Sequence, residues 1–175
     1  MGLEPFEALM TAHHAEIYRY VRRVTARPSE ADDLSQETFI RAFRAYRNLP
    51  PDANTRAWLF AIATNLCRNH FRSERRRHAA HAAVRASARE VDADGPEGAA
   101  LFAEARELTE AVIDELPLKQ RLAFVMRKLH DLEYDAIGQG LDCSAESARA
   151  HVFQALRKIK RTLNGYAIPG TEPRP

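Results

Sequence analysis

One stretch narrows the choice of fold more than any other: Tyr134 to Lys160, YDAIGQGLDCSAESARAHVFQALRKIK. Tyr134, Ile137 and Leu141 recur at helical spacing and share one face. Asp142-Cys143-Ser144 then breaks the pattern, and Ala148, Val152, Ala155 (or Leu156) and Ile159 restore it. Ser144 is a good N-cap residue, and Glu146 puts negative charge in the following first turn, where the helix dipole favours it. Two helices joined by so short a turn make a helix-turn-helix, whose second helix fits a DNA major groove. An ordinary helical hairpin has the same pattern, so the choice between them rests on the rest of the chain.

The remainder also reads as helix, without an alternating strand pattern of convincing length. Phe6, Leu9, Met10, His13, Ile17, Val21 and Val24 form one stripe over about Pro5 to Val24. Leu108, Val112 and Ile113 mark a helix ending at Leu116. After Pro117, Leu118, Leu122, Val125, Met126 and Leu129 mark another. The fold class is therefore all-α. With 45% apolar residues in 175 there is enough to build a core, but no apolar run of membrane-spanning length and no basic-then-apolar leader. Cys67 and Cys143 stand far apart outside any CxxC pattern, which fits a reducing cytoplasm and argues against a zinc site or a disulfide framework. No phosphate-binding glycine loop, catalytic set or metal cluster is apparent. We therefore expect neither enzyme activity, nor a metal, a cofactor or a small-molecule substrate.

A second helix, about Glu30 to Arg47, with Ser29 as its expected cap, separates into two faces. Ala31, Leu34, Thr38, Phe39, Ala42, Phe43 and Tyr46 point to a core; Asp33, Gln36, Glu37, Ile40, Arg41 and Arg44 point away. Ile40 beside a compact acidic and amide group suits either a solvated face or a partner interface. Asn48 to Thr55 is a loop, and Asn54 or Thr55 can cap a third helix, about Arg56 to Arg77. Trp58, Leu59, Ile62, Leu66 and Phe71 form its apolar stripe. Its second half is basic, and Asn65, Asn69 and Arg72 share a face that can meet bases and phosphates, or simply water.

Charge divides the chain the same way. Residues 1–78 carry a net +4, residues 79–105 a net −3 and residues 106–175 a net +1. The sequence thus predicts two small helical domains, 1–78 and 106–164. An acidic, alanine-rich linker (79–105) joins them, and a Pro/Gly-rich tail (165–175), expected to be disordered, follows.

Three motifs in order resemble the bacterial sigma-70-type sigma factors of the extracytoplasmic-function (ECF) group. Asp33-Leu34-Ser35-Gln36-Glu37-Thr38-Phe39 is similar to that family's D-L-x-Q-E-x-F segment. Arg56-Ala57-Trp58-Leu59, with Ile62-Ala63 and Asn65, resembles its −10 helix. Leu116-Pro117 through Leu129, then Tyr134-Asp135-Ala136-Ile137, resembles the lead-in to its −35 helix-turn-helix. The resemblance implies a region 2 bundle of three to four helices joined to a region 4 helix-turn-helix domain.

It further implies that Asp33, Gln36, Glu37 and Ile40 dock on the β′ clamp helices of core RNA polymerase, with region 4 at the β flap. Leu49, Asn54, Arg56, Asn65, Arg68, Asn69, Arg72 and Arg75 would bind the −10 element, a base of which is flipped out at a cost of a few kcal/mol. Ser144, Glu146, Ser147, Arg149, Phe153, Gln154 and Arg157 would meet the −35 element. The partners implied are core polymerase, promoter DNA and an anti-sigma factor, in the cytoplasm and without membrane insertion. Two departures stand out. Asp142 occupies the turn position where glycine is common, and Arg149-Ala150-His151 replaces a more basic run, so −35 readout would rest chiefly on Arg149 and Gln154. The alternative reading is a stand-alone helix-turn-helix regulator that binds duplex DNA as a dimer.

Overall fold

In the computed structural model, which describes residues 5–81 and 100–165, every regular element is a helix. The order is α1 (Phe6–Thr25), α2 (Pro28–Tyr46), α3 (Thr55–His81), α4 (Ala100–Asp114), α5 (Leu118–Lys128), α6 (Tyr134–Leu141) and α7 (Ala145–Gly165). The basic helix thus runs on through Ala79 and Ala80, good helix formers, to His81. The centre of the expected linker (82–99) and the tail beyond Gly165 lie outside the described residues.

The helix ends follow local chemistry. Residue Ala26 takes a left-handed backbone (φ 61°) and closes α1, and Pro28 opens α2 at its first position. Ser29 therefore lies inside α2 and does not cap it. The proline ring already holds the helical φ there, and its missing N–H would have had no partner. The Asn54 side chain caps α3 by accepting from the Ala57 N–H (2.9 Å), and Ser144 caps α7 by accepting from the Ser147 N–H (3.1 Å). Between α6 and α7, Asp142 adopts φ 55°, ψ 54°, and the Cys143 N–H returns to the Gly138 carbonyl (2.9 Å). So tight is this turn that a Cβ on Gly138 would lie 2.6 Å from the Cys143 carbonyl oxygen.

Helices α1–α3 form one bundle and α4–α7 another. The two share a continuous core that includes Ile17, Tyr20, Leu59, Phe60, Leu122, Met126, Ile137 and Val152. Phe60, absent from the stripe read in the sequence, is fully buried. Three residues expected in the core are exposed. Phe43 sits at the border of its stripe, Met10 lies in the first turns of α1, and Leu129 is the C-cap residue of α5. Burial of α2 relies instead on Phe39, Tyr46, Thr38 and Ser35.

The seam between the bundles is well made. Gly140 of α6 lies against α3, where a Cβ would sit 3.6 Å from the Ala61 Cα. Arg23 donates to the Asp114 carboxylate (3.0 Å) and the Glu110 carbonyl (3.0 Å), and Arg121 donates to the Val24 carbonyl (3.1 Å). The short loop after α5 pushes His130 into the first bundle, where its ring meets Tyr20 edge-on (5.7 Å) and packs on Phe60 (5.1 Å).

Candidate nucleic-acid interface

Three exposed surfaces carry the residues singled out in the sequence. On α2, Asp33, Gln36 and Ile40 face solvent, and Glu37 pairs with Arg41 (2.6 Å). Ile40 is 45% exposed and Phe43 60%. At 100° per residue, Phe43 stands within about 20° of Gln36, so it belongs to the edge of this face. It was missed because its type suggested the core, whereas its angle placed it on the border. Phe6 supports it from α1 with an edge-on ring contact of 5.3 Å. The result is a small apolar ledge beside a polar patch.

On α3, Asn65, Asn69, Arg72 and Arg75 are exposed and Arg68 is half-buried, its guanidinium 3.4 Å from the Asn65 oxygen. These five lie along one side of the helix, so guanidinium groups stand beside side-chain amides. Arg56 does not join them. It precedes Asn65 by nine residues, two and a half turns, and so emerges on the opposite side. There it pairs with Glu16 through Nε (3.1 Å) and Nη2 (2.5 Å) and donates to the His130 carbonyl (2.5 Å). Leu49 is half-buried, and the Asn54 oxygen is occupied in capping α3.

On α7, Glu146, Arg149, Phe153 and Arg157 run along one exposed line at spacings of three and four residues, with Ser144, Ser147 and Gln154 alongside. Phe153 is 61% exposed. The Arg149 guanidinium lies 4.9 Å from the Tyr134 ring centroid, and the Gln154 carbonyl oxygen accepts from Gln120 (2.8 Å). These contacts are surface contacts, each of the size that a base or phosphate can replace.

Electrostatics sets Arg56 apart. The Arg56 hydrogen bonds hold the Glu16 carboxyl down at about 2, with a smaller contribution from His130. Burial lowers the His130 pKa, only partly offset by its 3.3 Å contact to Glu16. Neither Glu16 nor His130 was singled out in the sequence. They stand 40 and 74 residues from Arg56, with no local signal of the pairing.

Residues 9–77 match Sigma-70 region 2 and residues 106–159 match Sigma-70, region 4. The RNA polymerase sigma-H factor of Pseudomonas aeruginosa is 28% identical over 165 residues, covering 90% of this chain and 86% of that protein. The ECF RNA polymerase sigma-E factor of Escherichia coli K12 is 28% identical over 162 residues, covering 88% and 84%. Among solved structures, the sigma factor RpoE in complex with the anti-sigma factor NepR, from Bartonella quintana, shares the fold with a TM-score of 0.74. Its sequence identity is 17%, and 91% of this chain and 96% of that one are covered. The class defined by these two regions is the DNA-binding transcription initiation factor. The chain belongs to the sigma-70 family and is of its ECF type.

Proposed function

We propose that this chain docks on core RNA polymerase through α2 and directs it to promoters read at −10 by α3 and at −35 by α7. The observation that carries this is the coexistence of three separate exposed surfaces, one per helix: the polar α2 face with Ile40 and Phe43, the Asn/Arg side of α3, and the α7 line from Glu146 to Arg157. In this reading Asp33, Gln36 and Glu37 supply orientation and the two apolar side chains supply desolvated contact on the β′ clamp helices. Arg68, Arg72 and Arg75 hold phosphates, and Asn65 and Asn69 meet exposed bases near a flipped one held at the Asn48–Thr55 loop. Binding energy does this work, with no chemistry on the chain itself, and the site of action is the cytoplasm.

The arrangement of the two bundles bears on how this happens. Elements at −10 and −35 are about 25 base pairs apart, or about 85 Å at 3.4 Å per step. A compact chain of this length has a radius of gyration of about 16 Å. The packed arrangement therefore cannot hold both elements, and the bundles separate before both are engaged. Residues 82–99 reach at most roughly 60 Å when fully extended, enough with the domain widths to bridge the gap. An anti-sigma factor would act by covering the same surfaces or holding the bundles together, in keeping with the partner of the RpoE structure.

Run-off transcription with purified core polymerase tests the reading. A new start site that appears only with this protein supports it. Tight binding to a palindromic duplex without polymerase, and no start site on genomic fragments, would replace it with a stand-alone dimeric regulator.

A further inference from the structure

Where the start of α2 meets the middle of α3, three potential metal ligands converge. Glu30 comes from the first turn of α2, while His70 and Glu74 are four residues apart and so project from one face of α3. Their ligand atoms all lie within 4.8 Å of one another, and each side chain is about one-fifth exposed. The spacing along the chain hides this group, since Glu30 and His70 are 40 positions apart.

The carboxylates divide their oxygens in a consistent way. His70 Nε2 faces Oε2 of Glu30 at 3.1 Å and Oε2 of Glu74 at 3.8 Å. Arg27 takes the other oxygens, with Nη1 at 2.8 Å from Oε1 of Glu30 and 3.5 Å from Oε1 of Glu74. The guanidinium thus binds the outer edge of both carboxylates and leaves one oxygen of each turned toward the imidazole nitrogen. This is the pattern in which outer-sphere partners orient ligands toward an ion. Zinc bonds of about 2.0–2.2 Å place tetrahedral ligands about 3.3–3.6 Å apart, a range that the two His70 separations of 3.1 and 3.8 Å bracket. Two carboxylates and an imidazole are a donor set that suits zinc and other divalent first-row metals, whereas a monovalent cation gains little from an imidazole ligand.

We propose that Glu30, His70 and Glu74 bind a divalent transition-metal ion, zinc best among them, with water completing the coordination. The ion would tie the base of α2, the helix of the polymerase-facing surface, to the turn of α3 that carries Asn69 and Arg72. The site stands on its own ligands and does not depend on the promoter reading.

Titration calorimetry of the tag-free full chain with ZnCl2 tests it, with cobalt(II) absorption as a second probe of coordination. The expected result is one saturable zinc equivalent, a zinc-dependent rise in Tm, and manganese binding weaker than zinc. Both Glu74→Gln, nearly isosteric, and His70→Ala should weaken zinc binding by roughly tenfold or more and remove the Tm rise, with far-UV circular dichroism unchanged. Because Glu16 also lies near His13 and the buried His130 of the loop after α5, a variant that binds zinc as before would point to that group instead. Zinc binding unaffected by both substitutions, or no saturable binding at all, would overturn the proposal and leave the cluster as an ion-pair staple.

Discussion

Arg56 of α3 and Glu16 of α1 form a two-pronged ion pair, and the same guanidinium reaches across the seam between the bundles to the His130 carbonyl. One of the residues expected at the −10 element thus ties the two bundles together in this structure. Because the pair lies under the loop that carries His130, it couples the fold of the first bundle to the position of the second.

The size of that coupling is measurable. The Arg56 side chain is 36% exposed and Glu16 19%, so solvent screening limits the pair to roughly 1 kcal/mol. Urea denaturation of Glu16→Gln, Arg56→Ala and the double variant should give a coupling energy of about that size. A coupling indistinguishable from zero would mean that the seam is held by apolar packing alone.

Acid should loosen the seam in two stages. The folded pKa of His130 is lowered from its ordinary 6.5, so as pH falls past 6.5 the unfolded chain takes the proton first and stability declines. Glu16 is lowered from 4.5 to about 2, so its contribution is complete above 4.5 and is lost as pH falls toward 2. Arg56 and Arg19 also face His130 electrostatically and disfavour its charged form. Stability measured from pH 7.5 downward should therefore fall below 6.5, and His130→Gln should flatten the first stage. An unchanged profile in that variant would contradict the assignment.

The turn of the helix-turn-helix makes opposite demands on two neighbours. Gly138→Ala gains about 1 kcal/mol of helix propensity but drives a methyl against the Cys143 carbonyl at 2.6 Å. Overpacking against backbone costs about 1–3 kcal/mol, so a net loss is expected, seen as a lower Tm. Asp142→Gly should do the reverse and raise stability by up to about 1 kcal/mol, because φ 55° is strained for a residue with a Cβ. Equal effects of the two substitutions would show that the turn is more pliable than its geometry suggests.

Ile40 and Phe43 should matter to polymerase and little to folding. Ile40→Ala and Phe43→Ala are each expected to weaken core-polymerase binding by about 1–2 kcal/mol. Their effect on thermal stability should stay within roughly 0.5 kcal/mol, as for other exposed positions. Competition binding against labelled wild-type protein measures the first and thermal melts the second. A drop in stability with unchanged polymerase binding would return these residues to a structural role.

At −35 the weight should fall on few side chains. Arg149→Ala is expected to cost about 1–3 kcal/mol at its preferred base pair and to relax specificity there. Base-substitution profiling of polymerase-dependent transcription gives the readout. A profile at −35 identical to the wild type would rule Arg149 out as a base reader.

Much of this was legible locally. Ser144 caps its helix as its residue type requires, Asp142 adopts the left-handed backbone that a glycine-like position demands, and the buried stripes of α6 and α7 follow their period. The misreadings were of several kinds: Phe43 is apolar by type yet flanks its stripe, Met10 and Leu129 stand near the ends of α1 and α5, and Phe60 is buried away from the stripe read for α3. Hydrophobicity says what a side chain prefers, but only its angle and the neighbouring helix say whether a cover exists.

The sequence by itself determined the helices, the turn between α6 and α7 and the family, because these depend on residues within a turn or two of each other. Only the tertiary structure decided that Arg56 meets Glu16 and the His130 carbonyl, and that Glu30 meets His70 and Glu74. Those meetings span 40 to 114 positions and are set by how whole helices pack, which no local periodicity encodes.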